Sequence, residues 1–192
     1  MRQLPASWVA AVLWVLFGAP VWADSPKPPA PAREPCKASP EHRQLDFWIG
    51  EWDVSLPKAG KIAESRIESI LGGCVILETY HQGDGFSGNS FSLYNAETKS
   101  WEQRWVDNQG NLRSLTGHFE NGALRFTRES TDPAGKRRRH RMTFSQPASQ
   151  QVRQLVEHSA DDGQSWVVDF DGLYRRREAS PAPASPREGK NE

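Results

Sequence analysis

The chain has 192 residues, enough for one domain with tails, and carries 24 Lys and Arg against 24 Asp and Glu. That balance excludes a protein built to coat nucleic acid or an anionic surface, which needs a marked basic excess. With only two cysteines, Cys36 and Cys74, a cysteine-based zinc site is excluded as well.

Residues 1–23 read as a secretory signal peptide. Arg2 is their only charge, an apolar run extends from Trp8 to Phe17, and Gly18 and Pro20 break it before Val21-Trp22-Ala23, which fits a small-residue cleavage site. The run is shorter than the roughly 20 residues of a membrane span. An uncleaved anchor is the alternative, and the mature chain is expected to start at Asp24 with no transmembrane segment. It would be periplasmic or secreted, with 23 basic against 24 acidic residues, because only Arg2 is lost. Residues 24–40 hold Pro26, Pro28, Pro29, Pro31, Pro35 and Pro40 and read as an extended, solvated spacer. Export places Cys36 and Cys74 in an oxidising compartment, where such a pair becomes a disulfide. No lipobox precedes Cys36. Cys36 ends the movable spacer and Cys74 follows Gly72-Gly73, so the bridge is expected to pin the entering chain against one end of the domain.

From residue 41 to 177 the apolar period is two. A short helical turn over 40–48 comes first as a cap, and then Trp52, Val54 and Leu56 alternate with polar residues. The same alternation recurs at Phe91 and Leu93, at Trp101, Gln103 and Trp105, at Leu124 and Phe126, at Met142 and Phe144, and at Trp166, Val168, Phe170 and Tyr174. Turn-forming stretches separate the runs, among them Gly83-Asp84-Gly85, Glu120-Asn121-Gly122 and Asp161-Asp162-Gly163. The pattern predicts ten strands, over 50–57, 61–71, 74–82, 88–94, 100–107, 112–119, 123–130, 138–145, 151–159 and 165–176. Sequential strands without helical crossovers make a meander, and closure removes its edges. The expected fold is therefore all-β: an antiparallel up-and-down barrel of about ten strands. Residues 178–192, rich in Ala, Ser, Pro and charge, read as a disordered tail.

Gly50-Glu51-Trp52, at the entry to the first strand, resembles the first signature of lipocalins and related calycin barrels. In those folds the Trp closes the barrel floor and an Arg of the last strand lies across its ring; the resemblance implies Trp52 with Arg175 or Arg176 as the latch here. Four blocks carry a wider likeness: 47–54, 72–78, 101–107 and 170–174. Together they resemble a family of exported bacterial proteins defined only as a domain of unknown function. That resemblance spans about residues 36–176 and implies a calycin-like barrel and an envelope location, with no activity and no catalytic residue to transfer.

The five histidines, His42, His81, His118, His140 and His158, show no metal-binding spacing, and no Gly-x-Ser-x-Gly elbow is present. They read as rim or core side chains, with a haem or metal ligand as the alternative; no cofactor is expected otherwise. The run from Lys136 to Arg141 reads as a hairpin flank whose long side chains cover apolar ring edges, with an acidic partner as the alternative. Phe91, Trp101, Trp105, Phe126 and Trp166 are expected to face inward, with Gln103 as a polar group able to orient a ligand. Alternation alone leaves open whether they fill a core or line a cavity. The leading expectation is an exported lipocalin-like barrel that binds a small apolar or amphipathic molecule. A filled envelope module and a haem-binding redox barrel are the alternatives, and an enzyme comes last because no catalytic constellation stands out.

Overall fold

Ten antiparallel strands follow one another in sequence order and close on themselves. In the computed structural model, which describes residues 34–177, β1 (Gly50–Leu56) pairs with both β2 (Gly60–Ile70) and β10 (Val167–Arg176). Between them run β3 (Val75–Gln82), β4 (Ser87–Asn95), β5 (Ser100–Asp107), β6 (Leu112–Glu120), β7 (Ala123–Thr131), β8 (Arg137–Ala148) and β9 (Gln151–Ser159). Each expected strand is present within a few residues of its expected bounds. The signal peptide, residues 24–33 of the spacer and the tail 178–192 lie outside the described residues. Among the described residues no helix is long and apolar enough to cross a membrane.

Local chemistry sets the hairpins. Asn121-Gly122, with φ of 52° and 74°, joins β6 to β7 in a two-residue turn whose positive dihedrals match the right-handed strand twist. The odd-numbered hairpins, starting with β1–β2, gather at one end of the barrel. The even-numbered ones and both ends of the barrel chain gather at the other.

That second end is sealed. Two 3-10 turns, Glu41–Arg43 and Asp46–Trp48, cross it where the sequence places a helical cap. Leu45, Trp48, Trp52, Phe126 and Phe144 are fully buried there, with Trp48 packed 4.5 Å from Phe144 between ring centroids. The Trp52 indole N–H donates to the Trp48 carbonyl at 2.8 Å, so the polar edge of the ring is satisfied inside the core. Arg176, directly opposite Trp52 in the β1–β10 register, lays its guanidinium 4.4 Å from the ring centroid and donates to the Ile49 carbonyl at 2.9 Å. Arg175 points to the other face and donates to the Ser55 hydroxyl. Gly50 makes this possible. Its φ is 143°, and a Cβ there would lie 2.1 Å from an Arg176 guanidinium nitrogen. The glycine and tryptophan two residues apart are thus two halves of one arrangement.

Cys36 and Cys74 form a disulfide with their Cα atoms 5.0 Å apart. The spacer differs here from the sequence expectation. Pro35–Ala38 is a helical turn, α1, and Cys36 is only 7% exposed, because the bridge holds this segment against the turn between β2 and β3. Among the described residues, the spacer from Pro35 to Ala38 is thus part of the folded unit.

Two stability changes follow from this end of the molecule. Trp52→Ala should lower unfolding free energy by about 3–5 kcal/mol in urea titrations, and Arg176→Ala should lower it more than Arg175→Ala. The Cys36→Ser, Cys74→Ser double variant should lose about 4 kcal/mol from opening a 39-residue loop. A melting temperature equal to that of the unaltered protein would show that the bridge does not constrain the chain.

Candidate functional site

The barrel's other end is open and hollow. A cavity of about 410 Å³ enters between the odd-numbered hairpins. Its apolar wall is formed by Tyr80, Phe86, Trp105, Leu115, Met142 and Phe170. Tyr80, Phe86 and Trp105 make an aromatic cluster, with centroids 6.1–6.3 Å apart. Gly88 makes room for it, since a Cβ there would lie 2.3 Å from the Trp105 ring. The Trp105 indole N–H is fixed by Asp107 at 3.0 Å.

The inner end of the cavity is polar. Glu78, only 2% exposed, accepts hydrogen bonds from the Ser65 and Ser90 hydroxyls at 2.9 and 3.0 Å. The Tyr174 hydroxyl lies 3.3 Å from the same carboxyl and donates to Gln154 Oε1 at 2.7 Å. Beside it, Gln103 donates to the Ser92 hydroxyl at 3.0 Å. No cation faces Glu78 among its hydrogen-bond partners, and burial pushes its carboxyl up to about 7 even though these hydroxyls pull it down. Near neutral pH the group therefore exchanges between a hydrogen-bond donor and an anion.

The mouth is basic. Arg113, Arg128 and His140 line it, and Asp169 is the carboxylate facing them. Arg113 is held by Asp107 at 3.3 Å, the His140 ring by the Ser130 hydroxyl at 2.8 Å, and Asp169 by His158 Nδ1 at 2.7 Å. Burial, and then the charge of Arg128, depress the basicity of His140.

The structure brings together only some of the residues expected to line a cavity. Gln103 and Trp105 do so. Trp101 and Phe126 face inward but are buried at the sealed end, where the Trp101 indole donates to Gln44. Phe91 is 42% exposed and faces outward. Inward residues of β4 include Gly88, Ser90 and Ser92, because this wall supplies hydroxyls to Glu78 and Gln103, and Tyr94 follows on the same face against Trp101. Trp166 is not in the cavity either. A bulge between Val168 and Phe170 inserts Asp169 into the ladder, so Phe170 and Tyr174 point inward while Val168 is 54% exposed. Trp166 lies outside, under the Arg141 guanidinium at 4.0 Å.

The basic hairpin is a set of pairs. Arg137 binds Asp162, Arg138 binds Asp132, and Arg141 makes a two-pronged contact with Glu157 while covering Trp166. His81 and His118 are exposed, whereas His140 reaches the cavity. Among the described residues no group of three or more His, Cys, Asp or Glu side chains is placed to hold a metal ion. Glu78, Tyr80, Arg113 and Arg128 were missed by sequence reasoning. Their signal was their alternation with apolar neighbours: Glu78 between Ile76 and Tyr80, Arg128 after Leu124 and Phe126.

No family model matches the chain, and no curated protein matches it.

Glu78 gives the protein a defined pH response. Its folded value near 7 lies above the 4.5 of an ordinary glutamate, so the folded protein holds the proton more tightly than the unfolded chain. Its contribution is full below about pH 4.5 and is lost as pH rises to about 7, on the order of 3 kcal/mol in all. Glu78→Gln should lack this loss. In urea titrations, the stability of the variant relative to the unaltered protein should rise between pH 5 and pH 8; a constant difference would show that folding takes up no proton at Glu78.

Proposed function

We propose that this protein is an exported, lipocalin-like barrel that holds a small amphipathic molecule by non-covalent contact. The observation that carries this reading is the cavity of about 410 Å³, apolar along its wall and polar at both ends, open at one end of an otherwise sealed barrel. A barrel of ten strands need not fill its interior with side chains. Here the aromatic cluster stops at the wall, and Gly88 leaves the space that the Trp105 ring occupies. Such a space suits a ligand that is mostly hydrocarbon with a polar terminus.

Export is part of the same reading. It is supported by the leader-like first 23 residues and by the Cys36–Cys74 disulfide, a bond that persists in oxidising compartments. The likeness to exported bacterial barrels of unknown function belongs to this proposal too. It rests on the four sequence blocks, of which the first holds Gly50 and Trp52 and the last Tyr174.

Trp105 is the built-in reporter, since its ring lines the cavity. Adding 1-decanol to the purified protein should change tryptophan emission saturably, and Trp105→Phe should remove that change while calorimetry still registers binding. Absence of saturable binding for decanol and for other medium-chain amphiphiles would overturn the ligand-binding reading.

A further inference from the structure

The other residues at the cavity mouth have partners, and Arg128 does not. It projects inward from β7, following Leu124 and Phe126 on the same face, and is partly buried. Neither a hydrogen bond nor an ion pair joins its guanidinium to any described residue. Arg113 is held by Asp107, Arg138 by Asp132 and Arg141 by Glu157. The groups facing Arg128 are mostly basic. His140 is its cross-strand partner on β8, and Arg113 is a like charge close enough to act on it. Asp169 is a carboxylate close enough to attract it, but its hydrogen bond goes to His158 and it makes no direct ion pair with Arg128. A partly desolvated guanidinium without a direct ion pair or hydrogen bond is unfavourable, and an arriving anion offsets that penalty.

We propose that the ligand's polar terminus is a carboxylate that seats on Arg128, with its hydrocarbon body running inward along Phe86, Trp105, Leu115 and Met142. This rests on the ligand-binding reading above and names the chemical class. The planar guanidinium offers parallel N–H donors that match the two oxygens of a carboxylate. Orientation follows from the opposite end. Glu78 closes the inner part of the cavity, and its carboxyl repels a second anion whenever it is ionised and offers no cation at any pH. The charged head therefore stays at the mouth and the tail goes in first.

The test uses tryptophan emission and calorimetry with two probes of equal chain length, decanoate and 1-decanol, at pH 8. The unaltered protein should bind decanoate at least about ten-fold more tightly than decanol, the advantage expected of a charge-assisted contact. Arg128→Gln should erase that preference while keeping decanol affinity. Arg125→Gln, on the exposed face of the same strand, should leave it intact and so control for net charge. Circular dichroism checks that both variants fold. Equal affinity for the two probes in the unaltered protein, or a preference that survives Arg128→Gln, would overturn the head-group assignment and leave the cavity reading standing. Failure of both probes to bind would remove both.

Discussion

The Arg176 guanidinium over the Trp52 ring is the contact on which the rest of the barrel depends. It joins the last strand to the first across the only seam that hairpins do not close. Strands β1 to β10 form a ladder automatically as each turn is made. The final pairing, between residues 118 to 124 positions apart, must be selected against open alternatives. Buried ring, carbonyl-bound indole N–H and overlying cation meet at that seam, and the glycine at position 50 leaves the guanidinium its path. The same ring forms the floor, so closure of the sheet and closure of the vessel are one event.

Above this floor the interior changes character. Aromatic side chains and leucine fill the sealed end, whereas a belt of Ser65, Glu78, Ser90, Ser92, Gln103 and Tyr174 crosses the middle. Each polar group in the belt has at least one partner, which is what permits it to be buried. The belt separates a region that stabilises the fold from a region that is free to hold something else. It also explains why β4 turns its hydroxyls inward and leaves Phe91 to solvent.

Strand number, order and approximate bounds were legible in the sequence because period-two runs and turn residues such as Asn121-Gly122 are local signals. Which face of a run points inward was legible only where the interior is apolar. At Trp101, Phe126, Met142 and Phe144 hydrophobicity and direction coincide. At β4 they do not, because the partners that make Ser90 and Ser92 inward residues lie on β3 and β5. At β10 a single inserted residue, Asp169, shifts the alternation, so Trp166 and Val168 cannot share a face with Phe170. The candidate site was harder to read for a related reason. Arg128 sits in register with Leu124 and Phe126, but an arginine in a strand reads as solvent-facing unless a cavity is known to lie beside it.

The sealed floor has a consequence for exchange. A vessel with one opening cannot be traversed: whatever enters must reverse its path to leave, and water displaced from the depth must escape past the incoming molecule. The traffic of both is therefore governed by the same few side chains at the rim, Phe86, Arg113, Arg128 and His140. Under the ligand-binding proposal, substitutions there would alter how fast such a vessel fills and empties together, while changes at the belt would alter how firmly a bound molecule is retained.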